Sequence, residues 1–149
     1  MVRKATINDA KAIFELIEFH RNAGEMLGRP LNELYSQIRD FFVYVEDGKI
    51  LGACASHICW EDLAEIRSLA VEKSSFGRGI GTALVKAAIE EAKTLGATRV
   101  FALTYRKDFF DKLGFKDMDK EALPHKIWSD CVKCVKFPNC DESAVMLEI

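Results

Sequence analysis

No apolar run in the chain approaches the roughly 18 residues that a membrane-spanning helix needs. No charge of one sign prevails either: 21 Lys and Arg stand against 23 Asp and Glu, a formal net charge of −2. That balance gives no global pull toward nucleic acid or an anionic membrane, so neither partner is expected. Two phosphate-loop patterns are missing too. There is no Gly-Lys-Ser/Thr triplet of a P-loop. Gly77, Gly79 and Gly81 run on into Ala83 and Leu84 without the third glycine of the dinucleotide fingerprint. Cysteine is short of any framework: five residues, an odd number, with a single Cys-x2-Cys pair where a strong zinc signal has two. A reducing, cytoplasmic setting is expected from that usage. No signal-peptide pattern is read before the strand-like start at Val2.

What is present suits one compact domain over residues 1–149, long enough to bury a real core, with 49% apolar and 30% charged residues. Val2 to Thr6 reads as a first strand. Thr6-x-x-Asp9 is a variant capping box, and Ala10, Ile13, Phe14 and Ile17 then form a helical stripe. Gly24, Gly28 and Pro30 end that helix in a loop, and Leu31 to Arg39 reads as a second short helix. Phe41 to Val45 and Ile50 to Ser56 are strands joined at Asp47-Gly48, a strong hairpin signal. Leu63 to Val71 is the next strand, Gly81 to Leu95 a long helix stopped by Gly96, and Arg99 to Thr104 another strand. A short helix over Asp108 to Leu113 and a final strand over Ala144 to Ile149 complete the order β-α-α-β-β-β-α-β-α-β.

The most informative stretch is the strand Ala64-Glu65-Ile66-Arg67-Ser68-Leu69-Ala70-Val71 running into Phe76-Gly77-Arg78-Gly79-Ile80-Gly81-Thr82. A helix begins there, and a helix N-terminus carries unpaired N–H groups and a partial positive charge. Glycines let backbone approach a ligand closely. Strand, loop and helix together predict an anion site suited to a pyrophosphate.

This segment resembles the pyrophosphate loop of the GNAT acyl-CoA N-acyltransferases, Q/R-x-x-G-x-G/A. Phe76 stands at the Gln/Arg place, Gly79 and Gly81 at the glycine places, and Arg78 is basic within the loop. Leu113-Gly114-Phe115 adds to the likeness, and the element order matches over nearly the whole chain. The resemblance implies an α/β (α+β) fold with a mixed, mostly antiparallel sheet and helices on both faces. It implies acetyl-CoA as co-substrate. The pantetheine arm would follow Leu69, Ala70 and Val71, and Phe76, Gly77, Arg78, Gly79, Ile80, Gly81 and Thr82 would hold the pyrophosphate.

An amine must lose a proton before it attacks a thioester, and a carboxylate can accept that proton directly or through one water. By the resemblance Glu65 is the general base, and the backbones of Leu69 and Val71 meet the thioester oxygen. Glu61 and Asp62 are weaker alternatives as base. Phe110 stands where many members have a tyrosine acid, which leaves that role unassigned. A thiolate needs little such help.

Leu103-Thr104-Tyr105-Arg106, Phe109-Phe110 and Leu113-Gly114-Phe115 are further similar to the acetyltransferase domain of N-acetylglutamate synthase, as are Arg3 to Asp9 and Leu123-Pro124. That likeness implies an amino-acid N-acetyltransferase with L-glutamate as acceptor, serving arginine biosynthesis. The kinase-like domain of the long form, and its arginine control, are not expected in this chain. Two acceptor carboxylates call for arginine forks. Arg29, Arg67 and Arg106 are the candidates. Other readings are a GNAT enzyme for another small amine, or an acyl-CoA-binding regulatory module without turnover. Expected partners are small molecules, with a homodimer left open. His125, Cys131, Cys134 and Cys140 are weak zinc candidates, and zinc is not favoured.

Overall fold

Asp47 and Gly48 close a tight hairpin, both with positive φ (51° and 74°), the mirror-turn geometry that matches the twist of paired strands. The strands it joins are β2 (Phe41–Glu46) and β3 (Lys49–Trp60). β3 runs four residues past the expected Ser56. The computed structural model describes residues 1–123 and 142–149.

Five further strands extend the sheet: β1 (Val2–Lys4), β4 (Leu63–Val71), β5 (Arg99–Thr104), β6 (Lys116–Asp117) and β7 (Ser143–Glu148). Their order is β1-β2-β3-β4-β5-β7-β6. Every pairing is antiparallel except β4 with β5. The sequence did not announce β6, a two-residue edge strand that carries no apolar alternation.

Alternation along β3 sorts the core into two layers. Ala53 and Ala55 face α1 (Ala10–Asn22) and α2 (Leu31–Ser36), where Ile13, Ile17 and Leu34 pack on Phe41 and Val43. Cys54 faces the other way, toward α3 (Ile80–Thr94), whose Leu84, Val85, Ala88 and Ala92 cover Ile66 and Val100. Each fully buried aliphatic side chain here contributes about 1.5–3 kcal/mol. Gly52, also on the α3 side, lies so close beneath the first turns of that helix that an added Cβ would sit 2.9 Å from Leu84 and 3.0 Å from Ile80. The short α4 (Lys107–Lys112) follows β5. Helices thus cover both faces, as the resemblance implied.

The helix expected over Leu31 to Arg39 is interrupted. Gln37 leaves helical geometry (φ −108°, ψ 17°), and a 3-10 turn over Ile38–Asp40 leads into β2. That turn sets Gln37 and Asp40 over β3 and β4, with consequences below. At the other end of α1, the Thr6–Asp9 capping box is present, with the Asp9 carboxylate accepting from Thr6 N at 2.7 Å and from Arg3 at 2.8 and 3.0 Å.

Candidate active site

The site begins where two strands part. β4 and β5 pair only at Leu63–Arg99, Ala64–Val100 and Glu65–Phe101. On its other edge β4 carries one extra residue: Arg67 faces Ala55 but Ala70 faces Ala53. Such a bulge bends and twists a strand, and Ser68 takes a φ of 56° to accommodate it. Beyond Glu65 the chain therefore turns away from β5. A cleft of about 1460 Å³ is lined by that stretch of β4, by the end of β5 and by the start of α3.

At one end of the cleft, Gly79 caps α3 with φ 79° and supplies no side-chain cap. The N–H groups of the first helical turn therefore lack partners within the helix, and they carry the positive end of its dipole. Gly79, Ile80, Gly81 and Thr82 all line the cleft, as do Phe76 and Gly77. Arg78 does not: its guanidinium pairs with Glu46 at 2.7 and 2.9 Å on the exposed side of the loop, which raises its pKa further. Ala70 is buried in the α1-side core, whereas Leu69 and Val71 reach the cleft.

Behind the loop, His20 is 6% exposed and joins three elements. Its Nε2 donates to the Val71 carbonyl at 2.8 Å, its Nδ1 lies 2.8 Å from Glu25 Oε2, and its ring stacks on Phe76 at 6.0 Å. One edge of the β4 backbone is thereby tied to the end of α1.

Toward the other end lie the charged candidates. Glu65 and Arg67 form an ion pair at 3.4 Å with side chains 13% and 9% exposed, and Arg67 also donates to Gln37 at 3.1 Å. Arg29 lies 3.7 Å from Glu33. Arg106 is exposed at the end of β5, its backbone N–H donating to Thr104 Oγ1 at 2.8 Å. All three arginines line the one cleft. Opposite Glu65 in the ladder is His57, whose Nδ1 is 2.6 Å from Asp40 Oδ2. Phe110 is 4% exposed and packed edge-on between Phe109 and Phe115, each at 5.1 Å. No hydroxyl occupies that place.

Among the described residues no cluster of three His, Cys, Asp or Glu could hold a metal ion. The expectations for His125, Cys131, Cys134 and Cys140 fall outside the described residues. Cys54 is a buried strand thiol whose pKa burial pushes up to about 12.

The acetyltransferase (GNAT) family pattern matches residues 10–115, most of the sheet and the whole strand–loop–helix junction. The chain belongs to this family. A further acetyltransferase, an uncharacterized N-acetyltransferase of Chlorobaculum tepidum, is 41% identical over 97% of this chain and 94% of its own length. An amino-acid acetyltransferase of Mycobacterium tuberculosis is 34% identical over 87% of this chain and 76% of its own. Among solved structures, N-acetylglutamate synthase from Neisseria gonorrhoeae, complexed with coenzyme A and N-acetyl-glutamate, superposes with a TM-score of 0.90 at 25% identity. The superposition covers 99% of this acetyltransferase but 34% of that synthase, so the chain spans about a third of its length. The chain is thus a GNAT N-acetyltransferase with the mixed fold of the family.

Sequence reasoning missed Asp40, His57, Gln37 and the His20–Glu25 pair. One signal was available: His57 continues the inward alternation Ala53, Ala55 and is the polar member of an apolar face. Its partner was hidden by the break at Gln37.

Proposed function

We propose that this acetyltransferase transfers an acetyl group from acetyl-CoA to the α-amine of a small amino acid, with L-glutamate as the acceptor. The observation that carries the reading is one cleft holding both an uncapped helix N-terminus and three arginines. The N-terminus suits a pyrophosphate. Arginine forks suit carboxylates. The relatives named above supply the acceptor class.

Acetyl-CoA supplies an activated acyl group with a thiolate as leaving group. The chain's residues do the rest. Backbone N–H groups of Gly79, Ile80, Gly81 and Thr82 hold the pyrophosphate, and Phe76 and Gly77 shape the loop; Arg78 steadies it from outside through Glu46. Leu69 and Val71 offer backbone along the edge that β5 has left, where donors can meet a developing oxyanion; Ala70 anchors that edge in the core. Arg29, Arg67 and Arg106 orient the acceptor's carboxylates. Glu65 takes the amine's proton in this reading, directly or through one water. Residues 1–149 would act as one catalytic unit in the cytoplasm.

One observation favours a different small amine as acceptor: Arg29 and Arg67 each already have a glutamate beside them. Thiol release from acetyl-CoA, measured across the twenty amino acids and several polyamines, tests both readings. Release that depends on glutamate supports the proposal. Release with a non-carboxylate amine retains the transferase and discards the arginine clamp. Binding of acetyl-CoA with no release for any acceptor replaces it with a regulatory module.

A further inference from the structure

The Glu65 carboxylate lies beside the Arg67 guanidinium in a pair nearly closed to solvent. A proton that Glu65 accepts must move on. Directly across the ladder is His57, and side chains of opposed residues on one face have Cβ atoms about 4.5–5.5 Å apart.

His57 is itself held in one orientation. Its Nδ1 is 2.6 Å from Asp40 Oδ2. An ionised carboxylate can only accept, so Nδ1 carries the hydrogen and Nε2 is the basic nitrogen. This is the arrangement in which a carboxylate fixes an imidazole's tautomer and steadies the imidazolium that forms. His57 and Glu65 both line the cleft, and the His57 side chain is 30% exposed, enough to return a proton to water. The charged groups on the elements around it are Asp40 and Arg39 from the 3-10 turn, and Glu65 and Arg67 from β4.

We propose that the Asp40–His57 pair is where the acceptor's proton comes to rest, with Glu65 passing it across the β3–β4 ladder. The inference rests on the acetyl-transfer reading and deepens it. The substrate ammonium loses one proton through Glu65 to His57 Nε2. The freed lone pair forms the N–C bond, and the C–S bond breaks with its electrons on sulfur. The second N–H proton neutralises the thiolate, and the imidazolium releases its own to solvent. His57 is the catalytic member and Asp40 a positioning residue.

The test compares kcat/KM against pH for the wild type, His57→Gln, Asp40→Asn and Glu65→Gln, with glutamate or whichever acceptor releases thiol. His57→Gln should lower kcat by about 10²–10⁴-fold, leave acetyl-CoA binding by calorimetry unchanged, and alter the acid limb of the profile. Asp40→Asn should lower kcat without raising KM. In ¹⁵N spectra of labelled histidine it should also shift the His57 tautomer away from Nδ1–H. A His57→Gln enzyme with the wild-type rate and acid limb overturns the proposal while leaving acetyl transfer intact. A wild-type spectrum with the hydrogen on Nε2 overturns it too, whatever the activity. A wild type that releases no thiol with any acceptor overturns the acetyl-transfer reading first, and this one with it.

Discussion

Glu65 and Arg67 stand two residues apart on β4, and their side chains meet at 3.4 Å in an ion pair with 13% and 9% of each side chain exposed. Two residues apart on a strand is the same face, so the pair is local in sequence yet sits at the floor of the cleft. Removing one member of a nearly buried pair takes from the other charge its ion-pair partner at 3.4 Å. Arg67→Ala should therefore destabilise by roughly 2–3 kcal/mol, short of the fully buried limit because water reaches both groups. Glu65→Gln, which leaves the guanidinium an acceptor, should cost less. Urea unfolding of the two variants checks the order; a Glu65→Gln loss as large as that of Arg67→Ala would overturn it.

Gly79 presents a cleaner case. An added Cβ would meet nothing within 4 Å, but φ is 79°. Gly79→Ala should therefore cost about 1–2 kcal/mol from backbone strain alone. Gly48, in the distant hairpin, has the same character with φ 74° and open space. Both alanine variants should lower the melting temperature alike, and only Gly79→Ala should weaken acetyl-CoA binding by calorimetry. Equal binding by the two would remove the loop from the pyrophosphate site.

Asp9 ties stability to pH. Its hydrogen bonds from Arg3, and from the Thr6 backbone, hold its carboxyl below the usual range in the folded state. A depressed folded pKa adds stability above the unfolded value of about 3.9, and that contribution is lost as pH falls through the folded pKa. Asp9→Asn should thus be less stable than the wild type by a constant amount above about pH 5, with the gap closing at lower pH. Thermal melts at stepped pH follow it. A gap that widened on acidification would reverse the sign.

Cys54 should be chemically silent. A thiol at about 12, buried between Phe42 and α3, holds almost no thiolate at pH 8. Iodoacetamide mapped by mass spectrometry should label it only after the chain is unfolded in denaturant. Labelling in the folded protein at the rate of a free thiol would show that the α3 layer opens.

Much of this was legible in the chain. Asp47-Gly48 gave the hairpin because a two-residue turn with positive φ at both places admits few residues. The strand Leu63–Val71, the loop and α3 were legible because glycine spacing and apolar periodicity are local signals. Arg29 and Arg106 as candidates came from resemblance, since they lie on separate elements with no local code linking them, whereas Arg67 followed from its alternation with Glu65 on one strand. The bulge at Ser68 and the parting of β4 from β5 were not legible from periodicity: an extra residue in a strand appears only against its partner's register. Asp40 and His57 show the same limit, because their approach needs both the hairpin register, shifted between Tyr44 and Val45, and the turn at Gln37.

Gly52 has a bearing on ligand geometry although it touches no part of the cleft. With Leu84, Ile80 and the Ala70 carbonyl all within 3.3 Å of where a Cβ would be, the height of the first turn of α3 above the sheet is set by a missing methyl group. Gly79 and the donors that follow it ride on that turn. Any side chain at Gly52 would raise the whole donor array relative to Leu69 and Val71, opening the span that one bound molecule has to bridge. Under the proposed pyrophosphate assignment, a substitution there would be felt as poor cofactor fit, from a residue outside the cleft.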